Sequence, residues 1–360
     1  MNPKLDVALV LGKRDSPTDA LDDYSRLLAA ALKGRGHSVE ITRCEWDAKG
    51  WRRSLRSLRD TLAAGRPRWV LIQYTHLMWS RHGFPQMALA VAWVARRAGS
   101  KVGIVIHDPV AYPGVRMRDR VRRRTQYAVM RTLVRMADAT VVPIPRANLS
   151  WIDSREKSRV HSIPVGSNVG ESTEGRRDAR SEIFTIAVFG LTEKDAGLVR
   201  ELAEIVGRAA SQIGSIKLVL LGRGSSEAKP LAEQLLSGKS VQVCVVGIVP
   251  AGEVGTWLLS ADASLFIRGG ISARRGTAVA AIAYGLPVVA YEGEETGWPL
   301  TEAGVVLAPA GDTQAVTQAL IRIAQDLDWA DGLRARSRAA YAEHFTWDRI
   351  AKRFEELVLK

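Results

Sequence analysis

Residues 268–291 read RGGISARRGTAVAAIAYGLPVVAY: a basic, glycine-containing turn, a helix of small residues, and an apolar β-rich run after Gly285. A helix that opens at Gly276 and Thr277 leaves its first N–H groups unpaired and carries partial positive charge there. With Arg274 and Arg275 in front of it, that start has the chemistry of a phosphate cradle. A tight turn whose arginines are simply solvated fits the same residues, and short motifs of this kind recur by chance.

Three other groups have chemical potential. His107, followed by Asp108, closes the apolar run KVGIVIHD and so falls at the carboxyl end of a strand, where open parallel sheets bind ligands; a histidine that merely caps the next turn is the alternative. His76 and His82, in THLMWSRHGF, read as loop residues, since no cluster has the spacing of metal ligands. Residues 116–135 carry arginines at 116, 118, 120, 122, 123, 124, 131 and 135 against Asp119, with Val121, Tyr127, Val129, Met130, Leu133 and Val134 available for an apolar face. Such a helix attracts an anionic membrane surface. RNA would suit the charge, but no stacking platform or nucleic-acid motif accompanies it, and a solvated helix face is the alternative to the membrane reading.

Positioning these residues requires parallel sheets covered by helices, because strand and helix patterns alternate almost end to end. Strands are expected over 6–12, 38–42, 69–74, 101–107 and 139–144. Helical periodicity fills 20–33, 51–64, 85–97 and 115–136. A polar stretch without apolar periodicity, 170–181, reads as a linker. Beyond it strands are expected over 184–189, 217–221, 241–246, 263–267, 286–291 and 304–307. From 333 to 360 the pattern is helical except around 344–346. The expected division is an N-terminal domain at 1–169, the linker, a C-terminal domain at 182–343 and a closing helix at 344–360.

A length of 360 residues exceeds what one core usually organises, and 46% hydrophobic with 25% charged residues excludes disorder. The net charge of +13 is uneven: residues 1–170 hold 30 Lys and Arg against 14 Asp and Glu, leaving 21 against 24 for the rest. Only the first half is therefore expected to meet an anionic partner. Cys44 and Cys244 suggest neither a disulfide framework nor a metal site, in keeping with a reducing, cytoplasmic location. The apolar run at the N-terminus is too short for a signal peptide, and none approaches the length of a membrane span.

In this order the pieces carry recognisable motifs. They are VFG at 188–190, LLGRG at 220–224, VVGIVPAGEVGTWLLSADASLF at 245–266 and YGLPVVA at 284–290, preceded by GRGHSVEIT, IQYTHLMWS with GFPQ, and KVGIVIHD, and closed by HFTWDRIAKRFEELV. Nearly the whole chain thus resembles the glycosyltransferases of the GT-B fold, in particular the retaining nucleotide-sugar enzymes of family 4. The resemblance implies two Rossmann-like domains facing across a cleft, an acceptor domain first and a donor domain second, and a tail helix crossing back. Same-fold nucleotide-sugar epimerases share the layout, but the tail and HFTW pattern favour transferases.

The resemblance also implies roles. Lys194 stands for the family's phosphate lysine, without the usual neighbouring arginine; Arg274 and Arg275 would compensate. Gly190, Gly222 and Arg223 fall at donor contacts, the backbone of Ile248 and Val249 at the nucleobase edge, and His107 beside the transferred sugar. The family's paired glutamates are absent, their places taken by Ser272 and Ala280, with Glu292, Glu294 and Glu302 the nearby acids. Donor binding is then either rebuilt around residues 272–277 or catalysis is lost. The expected catalytic residues are His107, Lys194 and Arg275; the acceptor or membrane residues are His76, Arg116, Arg118, Arg122, Arg123 and Arg124. The expected activity is metal-independent, retaining sugar transfer from a nucleotide diphosphate sugar, without a cofactor, to a glycan or lipid-linked acceptor at the inner membrane face, in cell-surface polysaccharide or glycoconjugate synthesis. Nucleic acid is not expected as a partner. A noncatalytic nucleotide-sugar-binding scaffold of the same fold is the alternative.

Overall fold

The computed structural model describes residues 5–15, 19–170, 183–191 and 195–360. Lys194 and all but the first residue of the expected linker lie outside them. The chain forms two compact units, residues 1–164 with 347–360, and residues 165–346.

The first unit alternates β1 (Val7–Leu11), α1 (Ala20–Gly34), β2 (Val39–Arg43), α2 (Trp46–Lys49), α3 (Trp51–Gly65), β3 (Trp69–Tyr74), α4 (Met87–Arg97), β4 (Lys101–Ile106), α5 (Met117–Met136), β5 (Ala139–Val142) and β6 (Val160–Ser162). Its six parallel strands lie in the order β2-β1-β3-β4-β5-β6. Every residue of β1, β3 and β5 is buried, as expected of central strands covered on both faces. The short β6 is an addition to the strands expected from sequence: VHS offers too brief a pattern, and its place is set by pairing with β5. Asp19 caps α1, its carboxylate accepting from the N–H groups of Leu21 and Asp22.

The second unit contains β7 (Phe184–Phe189), α6 (Ala196–Ile213), β8 (Ile216–Leu221), α7 (Ser225–Leu236), β9 (Val241–Gly247), α8 (Ala251–Leu259), β10 (Ala263–Gly270), α9 (Gly276–Ala283), β11 (Val288–Tyr291), β12 (Val305–Ala308), α10 (Thr313–Gln325) and α11 (Leu327–Ala340). Its strand order is β12-β11-β10-β7-β8-β9, again all parallel. Successive strands run outward from β7 to β9, and β10 then returns to the other side of β7. That reversal opens a crevice beyond the carboxyl ends of β7 and β10.

Residues 165–170 join the second unit, earlier than the expected boundary at 169. The Val165 N–H donates to the Ala273 carbonyl at 3.2 Å, and the Tyr284 hydroxyl donates to the Val169 carbonyl at 3.0 Å. Residues 344–346 also stay with this unit, because α11 runs into a π-helical turn, Tyr341–Phe345, where His344 Nε2 lies 2.5 Å from Glu302. The chain then re-enters the first unit as α12 (Trp347–Leu357). Ile350, Ala351 and Phe354 form its buried face, while Asp348 and Glu355 pair with Arg35 beyond the end of α1, at 2.9 and 2.7 Å.

Candidate active site

The crevice at the reversal between β7 and β10 is walled by backbone on one side. Gly190 follows β7 at φ +81°, and a Cβ there would stand 3.4 Å from Thr277 Cγ2 and 4.0 Å from Arg268 Nη1. Glycine thus keeps the strand end open between a side chain of α9 and one of β10. After β8, Gly222 lies against the Phe189 ring, where a Cβ would come within 3.0 Å. Its N–H donates to the Gly247 carbonyl at 2.6 Å, which ties the LLGRG turn to the end of β9. Arg223 lies in that turn. Ile248 and Val249 follow β9, the former 57% exposed and the latter packed against the apolar cluster around α9.

The basic turn is more ordered than its sequence suggests. The pairing of β10 with β11 breaks register between Phe266 and Gly270, a bulge that carries Arg268 and Gly269 out of the ladder. At Gly270 the backbone of the following segment passes so closely that a Cβ would lie 2.5 Å from Gly293 Cα. Thr296 then fastens the 293–296 loop, its hydroxyl donating to the Ile271 carbonyl at 2.6 Å and accepting from the Gly293 N–H at 2.9 Å. This delivers Glu295 to the turn. One carboxylate oxygen accepts from Arg274 Nε at 2.6 Å and from the buried Ser272 hydroxyl at 3.2 Å.

The acid bonded to this turn is Glu295, which was not among the three acids expected from sequence. Of those three, Glu302 is engaged by His344. Ala280 is buried within an apolar cluster and presents no polar group. Arg274 is already neutralised by its ion pair. Arg275 occupies the position before α9, and its carbonyl receives the N–H groups of Ala278 and Val279 at 2.9 and 3.0 Å. The N–H groups of Gly276 and Thr277 have no acceptor among the described residues.

Arg268 was not among the residues singled out by motif. It is half-buried and has no hydrogen-bond or ion-pair partner among the described residues. Burial, and then the nearby Arg274 charge, hold its guanidinium below the usual arginine range. An arginine followed by two glycines at the end of an apolar strand was the available signal for a bulge presenting a cation.

In the first unit the structure places His76 and His107 inside, whereas His82 is exposed. His107 is buried, its Nε2 2.7 Å from Gln73 Oε1 and its ring edge-on to Tyr24 at 4.7 Å; Tyr24 in turn meets Trp347 at 5.2 Å. The amide oxygen accepts only, so Nε2 carries the proton and Nδ1 is the nitrogen left for a ligand. Burial pushes the His107 pKa down to about 3, so the ring is neutral. His76, expected to face an acceptor, is fully buried: Nδ1 receives the Tyr74 hydroxyl at 3.1 Å, Nε2 lies 3.4 Å from the Val110 carbonyl, and burial lowers its pKa. Two aromatic edges, from Tyr74 and Tyr112, enclose it.

Of the arginines at α5, Arg116, Arg118, Arg123 and Arg124 are exposed. Arg122 is not: it is half-buried and bonded to Asp119 at 2.9 Å and to the Pro113 carbonyl at 3.4 Å. Beside the exposed arginines stand Val115, 87% exposed, and Met117, 71% exposed. Among the described residues no helix is long and apolar enough to cross a membrane, and no three His, Cys, Asp or Glu side chains converge as for a metal.

Residues 184–326 match the family model described as "Glycosyl transferases group 1", a span that contains the whole crevice from Gly190 to Glu295. No curated protein sequence matches the chain. Among solved structures it resembles a sucrose-phosphate synthase from Thermosynechococcus elongatus, at 19% identity and TM-score 0.68, covering 98% of each chain. A glycosyltransferase from Rickettsia africae is similar at 12% identity and TM-score 0.69, covering 98% of this chain and 97% of that one. HepE of Anabaena, solved in complex with UDP, is similar at 13% identity and TM-score 0.64, covering 98% and 99%. At these identities the likeness concerns fold. The chain has the two Rossmann-like units of GT-B glycosyltransferases, and its second unit resembles those of the group 1 family.

Proposed function

We propose that this protein is a glycosyltransferase that takes a sugar from a nucleotide diphosphate donor bound by the second unit and passes it to an acceptor bound by the first. The observation that carries this reading is a coincidence: the segment matching the group 1 family contains an open strand end, a helix start whose first N–H groups have no acceptor among the described residues, and a cluster of arginines around one crevice. Departure of the nucleoside diphosphate concentrates negative charge on its β-phosphate, and prearranged cations and N–H dipoles lower the barrier to that step. Arg275 and the N–H groups of Gly276 and Thr277 supply them, with Lys194 the expected addition and Arg274, held by Glu295, bracing the turn, so the reaction runs without a divalent metal. Retention of configuration is part of the proposal; the departing phosphate then takes the proton from the acceptor hydroxyl. His107 contributes through Nδ1 or by supporting the Gln73 side chain.

The acceptor we propose is a lipid-linked glycan intermediate met at the cytoplasmic face of a membrane, as in cell-surface polysaccharide or glycoconjugate synthesis. Support comes from the exposed Arg116, Arg118, Arg123 and Arg124 beside the exposed Val115 and Met117, a combination of cations and apolar side chains suited to an anionic bilayer.

A binding protein without turnover is favoured by one observation, the buried apolar setting of Ala280. Release of nucleoside diphosphate from UDP-, GDP-, dTDP- and ADP-sugars separates the two readings. A transferase releases diphosphate from donors of one base, faster with acceptor lipid present. A scaffold binds a donor and releases nothing.

A further inference from the structure

We infer that Arg268 is the residue that grips the diphosphate of the donor, as a two-pronged contact to its oxygens; this rests on the donor reading above.

The position is set by the fold. The bulge in β10 puts Arg268 at the carboxyl end of the strand that flanks β7, in the crevice where the strand order reverses. Across that crevice lies Gly190, whose missing side chain leaves room between Arg268 Nη1 and Thr277 Cγ2. The first N–H groups of α9, from Gly276 and Thr277, have no acceptor among the described residues.

The charge balance singles out Arg268 from its neighbours. Glu295 neutralises Arg274, whereas Arg268 has no partner among the described residues and is partly desolvated beside that pair. A cation partly withdrawn from water without a counter-ion is less favourable in the empty protein than a fully solvated one. The cost is offset when an anion enters. A guanidinium presents parallel donors that match two phosphate oxygens, which the point charge of a lysine does not. The residue thus weakens the free protein slightly and strengthens the bound one, a pattern typical of ligand-binding groups.

The test is isothermal titration of the full chain with UDP, GDP, ADP and dTDP and with the corresponding nucleosides, in wild type, Arg268→Gln and Arg268→Lys. The expected result is a loss of about thirtyfold in affinity for the preferred diphosphate in Arg268→Gln, with the nucleoside affinity unchanged. The ligand-free variant should melt no lower than wild type. Equal diphosphate affinity in wild type and Arg268→Gln overturns the inference and leaves the donor reading standing. Failure of wild type to bind any of the four diphosphates overturns the donor reading itself, and the inference with it. Should Arg268→Gln not fold, Arg268→Lys decides: a drop of about tenfold supports the two-pronged contact, and unchanged affinity contradicts it.

Discussion

Arg274 and Glu295, 21 residues apart in sequence, meet at 2.6 Å through a single carboxylate oxygen that also receives the Ser272 hydroxyl. The pair fixes the turn that precedes α9 and leaves Arg268 as a cation without a counter-charge among the described residues. Both partners are largely shielded, with side chains 20% and 14% exposed, so the interaction is weakened little by solvent.

Removing the carboxylate charge should therefore be felt. Glu295→Gln leaves Arg274 and Arg268 as adjacent cations and is expected to cost about 1–3 kcal/mol of stability. Urea denaturation of Glu295→Gln, Arg274→Gln and the double variant checks this as a cycle. The double variant should lose less than the sum of the singles, and strict additivity would show that the contact is not energetically real.

His107 yields a pH dependence with a definite sign. Its folded pKa is lowered, to about 3, from an ordinary value of 6.5. Below pH 6.5 the unfolded chain binds a proton that the folded chain refuses, so this contribution to stability is complete above that value and is lost as pH falls toward 3. The slope in the window is at most about 1.4 kcal/mol per pH unit. In a proton NMR titration from pH 5 to 8 the His107 ring signals should not move. A midpoint near 6.5 would contradict the buried, neutral state.

Gly190 tests the shape of the crevice. Its left-handed φ makes any side chain strained, at a cost of about 1–2 kcal/mol. Gly190→Ala should nevertheless fold, since the nearest atom to the new methyl group, Thr277 Cγ2, is 3.4 Å away. Donor affinity should fall by more than stability does, measured by titration beside a melting curve. Unchanged affinity would move the donor elsewhere.

The surface of α5 gives a fourth prediction. Charge reversal at the exposed Arg118, Arg123 and Arg124 should weaken binding to vesicles containing anionic lipid by about a hundredfold or more, at about 1 kcal/mol per arginine removed from the surface. Co-sedimentation at low and high salt measures it. Equal binding by wild type and variant, or preference of wild type for RNA of matched charge, would remove the membrane from the proposal.

Much of the scaffold was legible because its strands are continuous apolar runs such as WVLIQY in β3 and FTIAVF in β7, bounded by glycine and charge. The three-residue β6 escaped notice because pairing with β5, not its own pattern, defines it. At the site, the motif around Gly276 identified the helix start but not its partners. Glu295 reaches the turn only because Gly270 lets a later strand's exit loop pass at backbone contact, a tertiary relation without local signature. His76 and His107 looked accessible as loop and strand-end residues. Their burial comes from rings contributed by distant segments, Tyr112 over His76 and Tyr24 over His107.

The most direct test of donor binding by the second unit is thermal melting of the purified protein with UDP-, GDP-, dTDP- and ADP-sugars, without added metal, in wild type and Arg275→Ala. A rise in melting temperature specific to one base, and lost in the variant with its fold intact, is the predicted result. No response of the wild type to any of the donors would contradict it.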